Sequence, residues 1–361
     1  MPVNLESLVQ SALRPLLSYR YHHDHAKEAR RVLRSIEQAK GPLPRQIVKY
    51  CNDYSIDVFG HHHFAGWLYV YSAIAGRFKE GWIPDNYYGS VVVPRIKGDY
   101  GNVSRLKPLH STVFSSNSFP DLISYSNGVF FDTEYRVIHP DSVQDKLFTS
   151  QDKVTYKLDN SSRGRAIFFF NRESFDLSKI YKLGNGVFQS FINQHEVFLE
   201  FARESVATLR MTTVIGDDGV ASLRACYLRL GSGSDTHVQS KSHIRIPIDR
   251  KSGAFDNVGF TTDWLEIDGH PTSKVKFQGK FIPAYDDCLK LVTTLHKRVP
   301  YVRCIGWDVT IDDRENVKIM EWNGGHNDIK FSEATQGPCF SELHWERLTK
   351  TEGAPYIRTV W

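Results

Sequence analysis

The chain has 361 residues, 41% hydrophobic and 24% charged, with a formal net charge of +4. This length and composition suit a globular protein of two or three domains with buried cores, and the small positive surplus does not mark a nucleic-acid binder. No apolar run approaches the ~18 residues of a membrane helix, and five widely spaced cysteines without a CxxC pair argue against a disulfide framework or a zinc ribbon. The opening MPVNLESLVQ lacks the basic and apolar regions of a signal peptide, so a cytoplasmic location is expected.

Up to about residue 85, apolar residues recur three and four apart in LESLVQSALRPLL, AKEARRVLRSIEQAK, LPRQIVKYCNDY and FAGWLYVYSAIAGRFKEG, which predicts helices. The basic residues of KEARRVLRSIEQAK read as a solvated helix face. Histidines cluster at His22–His25 and His61–His63 without zinc spacing, and the aromatics around them point to packing. After WIPDNYYG the texture changes. SVVVPRI predicts a strand, and Gly, Asn, Ser and Pro then recur to about residue 128 as in strands joined by loops. GVFFDTEYRVI holds two short strands about a polar turn. KVTYKL and RAIFFFN flank the polar loop DNSSRG, and GVFQSFI follows as a further β run. SVATLRMTTVI, the turn GDDG and VASLRACYLRLG predict a long hairpin, with Gly219 supplying the turn. KVKFQGKF reads as an extended segment, and DDCLKLVTTLHKRVP as an amphipathic helix with Leu289, Val292 and Leu295 on one side and Pro300 beyond its end.

The chemistry concentrates in GWDVTIDDRENVKIMEWNGG. Gly306–Ile311 and Asn316–Asn323 read as antiparallel strands joined by DDRE, with Ile311 opposite Asn316 and Asp308 opposite Ile319. Period-two alternation then puts Asp308, Glu321 and Asn323 on one face, with Glu321 diagonal to Asp308. Two nearby carboxylates repel unless a proton or cation intervenes. Three hard oxygen donors suit Mg²⁺ beside substrate phosphates; the plain alternative is an edge strand facing solvent. Upstream, Arg210 and Arg229 interrupt apolar strands, and a buried guanidinium must meet a carboxylate or an anionic ligand.

The ordered pieces FQSFINQH, SVATLRMTTV, LRACYLRLGSGS, RIPID, and GWDVTI leading to EWN resemble the sugar-transfer-associated branch of the ATP-grasp superfamily across about residues 130 to 340. The resemblance implies an α+β ATP-grasp fold, two subdomains clamping ATP, behind a largely helical N-terminal region. It divides the chain into a helical region at 1–88, a β-rich segment at 89–130, a central lid subdomain at 131–192, a C-terminal subdomain with the metal site at 193–340, and a tail at 341–361. It implies that Lys157 and the small residues Ser161, Ser162 and Gly164 cradle phosphates, with Lys146 as the second nucleotide lysine. Adenine would meet the backbone of Gln189, Ser190 and Phe191, and ribose Gln194 or His195. Asp308, Glu321 and Asn323 would hold Mg²⁺, or Mn²⁺, and Arg210 and Arg229 would face the transferred phosphate or the acceptor carboxylate.

The activity so implied is an ATP-dependent carboxylate–amine ligase acting through an acyl phosphate, joining an amine or amino acid to a sugar acid in polysaccharide or surface-glycan biosynthesis. A phosphotransferase on the same fold, or a nucleotide-binding subunit without turnover, is the alternative. The expected partners are a small-molecule or glycan carboxylate, an amine acceptor and a second copy of the chain, with no nucleic acid and no membrane insertion.

Overall fold

The computed structural model describes residues 5–159, 167–232 and 243–350, which divide into two units. The first comprises the described residues up to Arg95 together with Asp263–Leu265 and those from Asp328 onward. Its helices include α1 (Leu5–Lys40), α2 (Arg45–Phe59), α3 (Ala65–Ala75) and the helix Lys330–Gln336. Helices α2 and α3 end where their sequence permits a left-handed residue, at Gly60 (φ 80) after α2 and Gly76 (φ 70) after α3. AGWLYVYSAIA is apolar on most sides because α3 is the centre of the unit, burying Trp67, Leu68, Val70 and Tyr71 against α1, α2 and Lys330–Gln336. The histidine runs pack as aromatic rings, with His22 and His63 stacked at 3.8 Å between centroids. Among the described residues, no group of three or more His, Cys, Asp or Glu side chains is placed to hold a metal ion.

SVVVPRI departs from expectation. Tyr88–Val92 forms a π-helical turn and Val93–Ile96 continues it as helix. Tyr88, Val92 and Ile96 are buried four residues apart, so burial follows a helical period and overrides the β-propensity of the valines.

The second unit, residues 96–262 and 266–327, holds two antiparallel sheets. The six-stranded sheet contains β1 (Asp121–Ser126), β2 (Val129–Asp132), β3 (Val137–Ile138), β4 (Lys153–Leu158), β5 (Ile167–Asn171) and β6 (Gly186–Ser190), in the order β3-β2-β1-β6-β4-β5. Ile123, Tyr125, Val154, Tyr156 and Phe188 line one face and pack with Val143 and Leu147 of helix Val143–Leu147 and Ile180 of helix Leu177–Leu183. Alternation turns Thr155, Lys157 and Gln189 to the other face.

The seven-stranded sheet contains β7 (Thr208–Ile215), β8 (Ala221–Leu230), β9 (Ile244–Pro247), β10 (Gly259–Phe260), β11 (Glu266–Ile267), β12 (Cys304–Ile311) and β13 (Val317–Asn323). Its order is β11-β10-β9-β8-β7-β12-β13. One face, with Leu209, Met211, Cys226, Leu228, Trp307 and Val309, forms the larger core with Cys288, Val292 and Leu295 of helix Tyr285–His296. A polar chain crosses that core. The Trp307 indole donates to Thr213 Oγ1 at 2.8 Å, Thr213 shares a 2.7 Å bond with His296 Nδ1, and His296 Nε2 lies 2.8 Å from the Val302 carbonyl. Because the Val302 carbonyl can only accept, Nε2 is the protonated ring nitrogen of the neutral imidazole, and the Thr213 hydroxyl donates to Nδ1 while accepting from the indole. The opposite face presents Arg210, Tyr227, Arg229 and Asp308.

Candidate active site

The register of the last hairpin differs from the simple alternating one. Ile311 pairs with Val317, and a β-bulge between Asp308 and Val309 shifts the ladder so that Asp308 pairs with Glu321 while Val309 pairs with Ile319. Met320 is the extra residue. Asp308 therefore lies directly opposite Glu321 instead of diagonal to it, and Ile319 drops into the core with Trp322. A bulge adds one residue to one strand, and here it lets two inward and two outward side chains follow a single strand without slipping the rest of the ladder.

Asp308 is 7% exposed and braced by two arginines. Arg210 donates from Nε to Oδ1 at 2.6 Å and from Nη2 to Oδ2 at 3.2 Å, while Arg229 Nη2 stands 2.6 Å from Oδ1. Burial pushes the Asp308 carboxyl upward, but the two guanidinium groups outweigh it and hold the pKa at about 2. Arg210 also donates from Nη1 to the Asn327 carbonyl at 2.9 Å. Gly306 makes room for this packing, since a Cβ there would lie 2.9 Å from Asn327 Cβ and 3.4 Å from Arg210 Cδ. Arg229 keeps a buried Nε that has no partner among the described residues.

Glu321 is the more open carboxylate, with 32% of its side chain exposed, and Lys107 Nζ approaches its Oε1 at 3.5 Å. Lys157 crosses from the six-stranded sheet to donate to the Met320 carbonyl at 3.3 Å; burial lowers its pKa, against the opposing pull of Glu321. Asn323 spends its amide N–H on the Gly306 carbonyl at 3.2 Å, which leaves its oxygen as the free pole. On the facing sheet, Gln189 donates to Asp121 Oδ1 at 2.7 Å. Burial raises Asp121 to about 6, with Gln189, Lys157 and Lys107 pulling the other way.

The structure thus gathers Lys157, Gln189, Arg210, Arg229, Asp308, Glu321 and Asn323 around the two sheets of one unit, and adds Lys107 and Asp121. Neither addition stands out in the sequence: Lys107 lies in the unremarked run RLKPLH, and Asp121 opens a strand whose other residues give the pattern. The remaining candidates sit elsewhere or do other work. Lys146 is exposed on helix Val143–Leu147. Gln194 is buried and saturated, donating to the Ala202 and Ser205 carbonyls at 2.7 and 3.0 Å and accepting from Ala207 N at 2.7 Å. His195 caps the turn Glu196–Leu199, its Nδ1 accepting from Val197 N at 3.3 Å. Ser190 N bonds the Pro120 carbonyl at 2.8 Å, and the half-exposed Phe191 ring lies 4.4 Å from the Lys153 ammonium. Ser161, Ser162 and Gly164 lie outside the described residues.

A sequence family described as sugar-transfer associated ATP-grasp matches residues 173–344, a span that holds β6, the arginine strands and the bulged hairpin. Residues 173–344 belong to that family. The chain also resembles solved structures at low identity. With the ATP-grasp ligase PsnB complexed with minimal precursor it shares 13% identity and a TM-score of 0.41, over 71% of this chain and 63% of PsnB, so it spans less than two thirds of that protein's length. With a biotin carboxylase from Campylobacter jejuni it shares 9% identity and a TM-score of 0.42, over 71% of this chain and 48% of the other. With the D-cycloserine synthetase DcsG it shares 12% identity and a TM-score of 0.38, over 68% and 71%. No curated protein matches the chain in sequence.

The donor set fits a hard divalent cation. Glu321 and the Asn323 oxygen would be the accessible donors, and Asp308 offers Oδ2, which accepts the longer bond from Arg210. All three candidate donors are oxygens, which disfavours zinc.

Proposed function

We propose that the protein is an ATP- and magnesium-dependent carboxylate–amine ligase. The observation that carries this reading is the direct pairing of Asp308 with Glu321 beneath four basic side chains, Lys107, Lys157, Arg210 and Arg229, drawn from both sheets and the segment before them. Even with Asp121 counted, cations outnumber carboxylates there, so the cleft favours an anion.

ATP binds between the sheets, with Lys107 and Lys157 as point charges on its phosphates. Glu321, Asn323 and Asp308 would hold magnesium, which would offset phosphate charge and help orient the phosphate chain. An oxygen of the substrate carboxylate attacks the γ-phosphorus, and the bond from that phosphorus to the bridging oxygen breaks, releasing ADP. Arg210 and Arg229 stabilise charge on the transferred group. The amine then attacks the acyl carbon, phosphate leaves, and an amide remains once the amine has lost its proton. Mn²⁺ serves the same oxygen donors. The acid is a sugar acid and the amine an amino acid or similar small molecule, a reading that draws on the family's description.

The test is ADP release over a panel of uronic acids and amino acids, with and without magnesium. ADP and free phosphate formed only when acid and amine are both present is the expected result. ADP with a stable phosphorylated acceptor makes the protein a kinase, and nucleotide binding without turnover across the panel overturns the enzyme reading.

A further inference from the structure

Lys97 lies at the start of the second unit, directly after the helix Val93–Ile96, and takes no part in the chemistry above, yet it is 2% exposed. Its ammonium donates to the Gly325 carbonyl at 2.6 Å and to Asn327 Oδ1 at 2.9 Å. Both acceptors belong to the loop that leaves β13 directly after Asn323. The same loop is gripped a second time, four residues on, by a backbone approach. A Cβ on Gly101 would lie 2.4 Å from the Gly324 carbonyl oxygen, and one on Gly324 would lie 2.9 Å from the Gly101 oxygen. The gripping segment is itself fixed, with Arg303 N donating to the Ile96 carbonyl at 3.2 Å and Ser104 Oγ to the Gly101 carbonyl at 2.7 Å.

The loop matters because its Asn327 carbonyl accepts from Arg210 Nη1 at 2.9 Å, while Arg210 Nε and Nη2 hold Asp308. A guanidinium is a rigid planar fork, so fixing Nη1 fixes the direction in which Nε and Nη2 point. We propose that Lys97 is a positioning residue: by clamping the Gly324–Asn327 loop it sets the Asn327 carbonyl, and through it the orientation of Arg210 toward Asp308. Where this bears on turnover it rests on the ligase reading above. A buried ammonium facing neutral oxygens is an expensive way to fill space, and a methionine of similar length packs without that cost. Burial accordingly pulls Lys97 down to about 8. What the lysine supplies beyond packing is its donors, and the bonds to the Gly325 carbonyl and Asn327 Oδ1 both end on this loop.

The test follows the Arg210 side-chain Nε–H by ¹⁵N-edited NMR, assigned through its loss in Arg210→Lys. In Lys97→Met, exchange of that proton with water accelerates at least tenfold, while the Trp307 indole proton, which reports the core on the opposite face, is unchanged. Asn327→Ala, which deletes one of the two acceptors and leaves the ammonium buried, moves Arg210 the same way by less, and stands in should Lys97→Met not fold. In the ADP-release assay, Lys97→Met lowers kcat at least tenfold at unchanged KM for ATP, and it costs nothing further in an Arg210→Lys background. An Arg210 Nε–H that exchanges at the parent rate in Lys97→Met, or losses that multiply in the double variant, overturns the proposal. A panel that yields no ADP release sinks the ligase reading alone, because the NMR result decides Lys97 without turnover.

Discussion

Asp308 and Glu321 look equivalent in the sequence, two acids thirteen residues apart on one face, but their surroundings separate them. Asp308 is the counter-ion of two buried guanidinium groups, and removing one partner of such a set typically costs about 3 kcal/mol because the other charges stay buried. Asp308→Asn should therefore lower unfolding free energy by about 3 kcal/mol in urea denaturation, whereas the half-open Glu321→Gln should change it by less than about 0.5 kcal/mol. Both should lose turnover, so Glu321→Gln is the cleaner probe of the metal reading; near-parent activity in it would remove Glu321 as a ligand. The Asp308 pKa of about 2, against an ordinary 3.8, adds a pH signature. Its stabilising contribution is complete above the ordinary value and disappears as pH falls toward 2. Asp121 has the opposite sign. Its pKa is raised to about 6, so lowering the pH from 7.5 to 5.5 neutralises a carboxylate beside Lys157 and Lys107. Affinity for magnesium–ADP should rise across that interval by calorimetry, and Asp121→Asn should flatten the rise.

At the scale of elements, the hairpins and the helix Tyr285–His296 were legible because their apolar periods are plain and their turns carry glycine. The bulge was not, since a single extra residue leaves composition and alternation on either side intact; only the spacing of the buried pair Ile319 and Trp322, three apart, betrays it. SVVVPRI misleads for the converse reason, as its valines favour strands locally while burial every fourth residue selects helix. Lys107 was invisible because it arrives from outside the motif-bearing strands, and Gln194 looked available because sequence cannot show that its donors and acceptor are already engaged. The Trp307–Thr213–His296 chain joins β12, β7 and the helix behind them. Thr213→Val keeps the shape and strands both partners, so it should cost about 1–3 kcal/mol in thermal or urea unfolding. An unchanged midpoint would mean that the chain contributes nothing.

Across the whole molecule, burial lowers histidine pKa values in both units, partial burial in the first and full burial in the second. Burial lowers His22 to about 4 and His63 to about 3 in the first, and His110 to about 3 and His296 to about 4 in the second. Groups with depressed values stabilise the fold above their ordinary pKa of 6.5 and withdraw that support as pH falls through the native value. The thermal midpoint should therefore drop steadily from pH 6.5 to 4, with His110 and His296, the most enclosed, each contributing about 1.4 kcal/mol per pH unit. A midpoint flat over that range would contradict the burial of these rings. The carboxylate Asp308 gives way only at lower pH, so acid unfolding should show the histidine phase first.

The double brace on Asp308 has one more implication. A resting protein in which one carboxylate engages two arginines behaves in part as an ion exchanger: a visiting anion gains the full charge of both only by displacing the resident carboxylate. Small, weakly held anions such as chloride make poor trades on those terms, and under the proposed ligase reading the arginines would be kept for a guest that brings its own cation to Asp308 in return.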